Sequence, residues 1–90
     1  MTNLTAYALP QLQRLPLTMP RDGSISMDLE MGTPVFRAST AVQERISFLL
    51  HKNRTTGLNT SENDELDNYE EIDDYLSYLN RVVRNLQTFN

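Results

Sequence analysis

Leu66, Tyr69, Ile72, Leu76, Leu79, Val83 and Leu86 recur at three- and four-residue steps through the last third of the chain. Only an α-helix brings positions so spaced onto one face. A second stripe, Tyr75, Tyr78, Val82 and Phe89, runs beside the first, so the C-terminal half of this helix is apolar over more than a narrow seam. If residues 61 to 88 are all helical, the rod is roughly 42 Å long at about 1.5 Å per residue. The chain's other good helical segment is much shorter, so the surplus apolar face needs cover from another molecule. The spacing therefore predicts an interaction protein, with Tyr75, Tyr78, Leu79, Val82, Leu86 and Phe89 on the partner-binding side.

The shorter helix is expected over about 40 to 53, capped by Ser39 or Thr40. Val42, Ile46, Leu49 and Leu50 form its apolar face, with Leu49 and Leu50 expected to pack around Leu66, Tyr69 and Ile72. Phe48 falls away from that face, beside Ala41, Arg45 and Lys52, and is a candidate contact for a second surface. His51, Lys52 and Arg54 suit the negative end of the helix dipole, and Thr55-Thr56-Gly57 supplies the break. The long helix opens with Asn59 three residues before Glu62, the spacing of a capping box, with Leu58 as a hydrophobic staple. Acids crowd its start and Arg81 and Arg84 lie toward its end, again matching the dipole. An antiparallel arrangement sets the basic end of the first helix beside the acidic start of the second.

Ahead of the helices, Ile25, Met27, Leu29 and Met31 alternate with Ser24, Ser26, Asp28 and Glu30, the pattern of a half-buried strand. Asp22-Gly23 and Gly32-Thr33-Pro34 delimit it with turn chemistry. A lone strand has two open edges, so Ile25, Met27, Leu29 and Met31 are strand-pairing candidates. Their partner is a copy of the strand, another protein's sheet, or Val35 and Phe36 folding back. Residues 1 to 23 carry five leucines, but Pro10, Pro16 and Pro20 interrupt any helical period. The expected architecture is mainly α. An extended or flexible arm (1–23) precedes a strand and helical-hairpin interaction domain (24–90), in which one short strand leads into an antiparallel helical hairpin with a long C-terminal helix.

Composition narrows the function classes. A chain of 90 residues buries proportionally little of its surface, and association is a common remedy. The absence of cysteine removes thiol chemistry and fits a reducing interior. No stretch approaches the roughly 20 apolar residues of a membrane span and no secretory signal is evident, so a cytoplasmic location is expected. Eight of the acids lie between Glu62 and Asp74, and the net charge is −4, which opposes broad electrostatic binding of nucleic acid by the isolated chain. That acidic run has no glycine-enabled turn and sits on a helix, so it is expected to be a solvated face rather than a metal site. The single His51 has no partner at a telling spacing and no glycine-rich phosphate loop occurs. No catalytic residue, metal or cofactor is expected.

A strand followed by two helices resembles a ribbon-helix-helix DNA-binding unit in outline. The polar face of the strand, however, carries Ser24, Ser26, Asp28 and Glu30 and no basic residue, and carboxylates there oppose entry into the major groove.

The segment "MDLEMGTPVFRASTAVQERISFLLHKNRTTGLN", followed by "DELDNYEEIDDYLSYLNRVVRNL", resembles a group of small cyanobacterial proteins regarded as antitoxins or antitoxin-like. Their genes tend to neighbour those of PIN-domain ribonuclease toxins. The resemblance implies a chain that wraps a toxin partner and blocks its metal-dependent RNA cleavage. PIN-type sites hold divalent metal with clustered carboxylates, so an inserted guanidinium would compete with the metal. Arg81 and Arg84 are the candidates, against the alternative that they only complement the helix dipole. Two other functions remain in view: a homo-oligomeric helical adaptor or structural protein, and, less favoured by the charge, a DNA-binding repressor.

Overall fold

The computed structural model describes residues 10 to 87. Its elements are two strands, β1 (Ile25–Glu30) and β2 (Thr33–Ala38), and two helices, α1 (Thr40–Thr55) and α2 (Thr60–Gln87). The chain is thus a β-hairpin followed by two helices, which corrects the single strand and helical hairpin expected from sequence. β1 pairs antiparallel with β2, setting Ile25 opposite Ala38, Met27 opposite Phe36, and Glu30 opposite Thr33. Met31 and Gly32 form the connection, both at positive φ (53° and 83°), as a two-residue hairpin turn of the primed type demands.

Pro34 is tolerated in β2 because of where its nitrogen points. Backbone groups alternate sides along a strand, and those of Phe36 turn away from β1 to meet Asn80. Pro34, two residues earlier, has the same orientation, so its missing N–H removes no ladder bond.

Ser39 caps α1, its side chain accepting from the Val42 N–H at 3.4 Å. The helix closes at Gly57, in the left-handed region at φ 85°, whose N–H bonds the Lys52 carbonyl at 2.9 Å. The capping box at the start of α2 is complete in both directions. The Glu62 N–H donates to Asn59 Oδ1 at 2.8 Å and the Asn59 N–H to Glu62 Oε1 at 3.1 Å.

The core gathers Ala38 from β2, Val42 and Leu49 from α1, and Leu66, Tyr69 and Ile72 from α2, with Met19, Ile46, Leu58 and Leu76 packed against it. Leu49 is fully enclosed, whereas Leu50, expected beside it, remains exposed. Two ion pairs tie the helices. Arg45 grips both oxygens of Glu65 at 2.7 and 2.8 Å, and Lys52 Nζ reaches Glu62 Oε2 at 2.6 Å.

The sequence places residues 1 to 23 outside the core. Among those described, Pro16 is buried, Met19 packs on the core, and the Thr18 hydroxyl bonds both Glu65 and the Tyr69 hydroxyl. Ser24, expected on a solvated strand face, is buried, and its hydroxyl donates to the Pro20 carbonyl. Among the described residues, no helix is long and apolar enough to cross a membrane.

Candidate interaction surface

α2 has 28 residues and α1 has 16, and the length that α1 leaves uncovered is taken by β2, which lies against α2. Asn80 makes the key junction. Its side-chain amide accepts from the Phe36 N–H and donates to the Phe36 carbonyl, both at 2.8 Å, so it occupies the outer edge of β2 as a third strand would. This overturns the premise that the apolar end of α2 has no cover within the chain. Tyr75, Tyr78, Leu79 and Val82 are all partly buried, and of the predicted α2 anchors with a described side chain only apolar Leu86 stands well out, at 61% exposure. Phe89 lies outside the described residues.

Arg81 and Arg84 are both exposed. Arg81 lies over the Tyr78 ring, 5.6 Å from its centre, a cation–π approach. Arg37 and Arg45, by contrast, are committed to carboxylates, Arg37 to Asp28 (3.8 Å) and Glu30 and Arg45 to Glu65. No such ion pair engages Arg81 or Arg84 among the described residues. Among those residues also, Tyr78 Oη and Glu71 Oε1 are shielded from solvent without a hydrogen-bond partner. Phe48 is half-exposed on α1, with the Arg45 guanidinium 5.2 Å from its ring centre.

The largest departure concerns β1. The alternating pattern predicts a half-buried strand, yet all six residues of β1 are exposed. Met27 is 58% and Leu29 67% exposed, Ile25 is partly open, and Met31 sits fully in solvent in the turn. The reason is position within the sheet. β2 takes the place beside α2, which leaves β1 outermost in a two-stranded sheet. Of the three partners the sequence offers this strand, the fold-back through Val35 and Phe36 is the one formed, and among the described residues the apolar face of β1 and its backbone edge turned from β2 form an exposed surface.

Electrostatics hold the opposite end of the molecule together. The Arg45 guanidinium keeps the Glu65 carboxyl below the usual range, with the Thr18 hydroxyl assisting and burial opposing. Glu62 is lowered in the same direction, first by Lys52 and then by the Asn59 N–H. These pairs tie α1 to the first half of α2. Among the described residues no three His, Cys, Asp or Glu side chains converge as a metal-ligand set.

Compared with known proteins, the chain matches no family model, no curated protein and no solved structure. The likeness to antitoxin-like proteins therefore rests on the quoted sequence segments alone.

Proposed function

We propose that this chain is a non-enzymatic, cytoplasmic, antitoxin-like protein that binds a PIN-type ribonuclease and blocks its metal-dependent cleavage of RNA. The observation that carries the proposal is the pair Arg81 and Arg84, one turn apart near the end of α2, exposed and engaged by no described carboxylate. A guanidinium fork is the side chain best matched to clustered carboxylates. Leu86, two residues beyond Arg84, supplies exposed apolar area beside them. The sequence resemblance adds the class of partner.

The test is RNA cleavage by the purified product of the gene next to this chain's, with increasing amounts of this chain. Full suppression is expected, with Arg81→Ala or Arg84→Ala restoring cleavage more than it weakens binding, and Leu86→Ala weakening binding first. Unimpeded cleavage at saturating amounts of the chain overturns the proposal. A homo-oligomeric adaptor is the second reading, favoured by the open edge of β1. It predicts self-association without any effect on the nuclease.

A further inference from the structure

We infer that β1 is a homodimerisation strand, pairing antiparallel with β1 of a second copy about a two-fold axis at Met27 to build a continuous four-stranded sheet. The inference goes beyond the nuclease reading and does not depend on it, since the outer edge of β1 carries neither Arg81 nor Leu86.

The two edges of the hairpin differ in kind. Along the outer edge of β2, Pro34 has no N–H, Asn80 holds both backbone groups of Phe36, and Gln43 Nε2 donates to the Ala38 carbonyl at 2.7 Å. That edge is closed to a further strand. In an antiparallel ladder, directly opposed residues either both face one another with their backbone groups or both face away. Phe36 faces away from β1, so Met27 opposite it faces away from β2, as do Ile25 and Leu29 two residues to either side. These three residues present N–H and C=O groups on an edge beside which no strand lies among the described residues. Their side chains, all apolar and all exposed, share one face. An edge of this kind is a template for strand addition.

Charge and parity select the occupant and its register. A symmetric antiparallel pair must set outward-facing residues against outward-facing residues. Centred on Met27, the pairing opposes Met27 to its own copy, Ile25 to Leu29, Ser26 to Asp28 and Ser24 to Glu30, with no like charges across from each other. Moving the axis to Asp28 sets Asp28 against itself, and moving it to Ser26 sets Asp22 against Glu30. Like charges directly opposite destabilise a sheet. Arg37, ion-paired to Asp28 and Glu30 from β2, offsets the acid charge that two hairpins bring together. The sequence of β1 is thus self-complementary at the one register that aligns all three apolar residues.

Cross-linking of the full chain tests the register, and the natural chain has no cysteine to confuse it. In the Met27-centred pair, the two Met27 Cα atoms are about 5.5 Å apart, within disulfide reach. The two Leu29 Cα atoms are displaced by four residues, about 14 Å along the strands, beyond reach. Met27→Cys is expected to give a disulfide-linked dimer under mild oxidation, and Leu29→Cys to remain uncross-linked. In sedimentation the natural chain is expected as a dimer and Met27→Lys as a monomer of unchanged helix content, because Met27 is exposed within one copy. A natural chain that stays monomeric while folded overturns the inference. So does Leu29→Cys cross-linking as readily as Met27→Cys, or a folded Met27→Lys that still dimerises.

Discussion

The side chain of Asn80 bonds both backbone groups of Phe36, 44 positions earlier in the chain, and so joins the β-hairpin to the second half of α2. An asparagine amide sets an N–H donor and a carbonyl acceptor side by side in one plane, much as a peptide group does, which is why it can stand in for a neighbouring strand. The pairing decides which edge of the sheet is closed and which remains open.

Replacing Asn80 by alanine leaves the Phe36 N–H and carbonyl without partners in a partly buried setting, a loss of about 1 to 3 kcal/mol. Asn80→Asp retains an acceptor but sets a carboxylate against the Phe36 carbonyl, and is expected to be no better than alanine. Urea unfolding followed by circular dichroism measures both. A loss below about 0.5 kcal/mol, the level of ordinary surface substitutions, contradicts the docking of the hairpin on α2.

Neighbouring leucines separate core from surface. Leu49 is fully buried and Leu50 is 37% exposed, so Leu49→Ala is expected to cost about 2 to 5 kcal/mol. Leu50→Ala should cost markedly less. Equal losses in the same unfolding experiment contradict this packing of α1.

The Glu65 carboxyl is lowered first by its bond to Arg45, and its side chain is only 10% exposed. A carboxyl whose folded pKa is depressed contributes stability that is present above its unfolded pKa of about 4.3 and is lost as the pH falls through the lower folded value. The natural chain is therefore expected to exceed Glu65→Gln in stability at neutral pH, with the gap closing below about pH 4.3. Unfolding free energies of both chains across that range test the sign. A gap that is constant with pH, or that widens on acidification, refutes the clamp.

Local chemistry was legible where the signal lay within a few residues. The Ser39 cap, the reciprocal bonds of Asn59 and Glu62, and the apolar spacing of Leu66, Tyr69 and Ile72 all name their own partners in the sequence. The second strand was legible only as one of three options, Val35 and Phe36 folding back, and nothing selected it: Pro34 reads as a strand breaker and Met31 is an unfavourable residue at positive φ, so Met31-Gly32 does not announce a hairpin. The Asn80 junction could not be seen either, since nothing in a single asparagine indicates a strand edge 44 residues away. That omission shifted the candidate site. Alternation in β1 correctly marked an apolar face, but whether that face meets α2 or solvent depends on which strand Asn80 holds. Tyr75, Tyr78 and Val82 were expected to be uncovered for the same reason.

The most direct measurement of the antitoxin reading is growth of cells expressing the product of the gene beside this chain's, with and without this chain. Suppression of the growth arrest is expected from the natural chain, and its loss from the Arg81→Ala, Arg84→Ala double variant at equal expression and retained binding. Arrest that the natural chain fails to relieve, or a neighbouring product with no nuclease activity, contradicts the antitoxin reading.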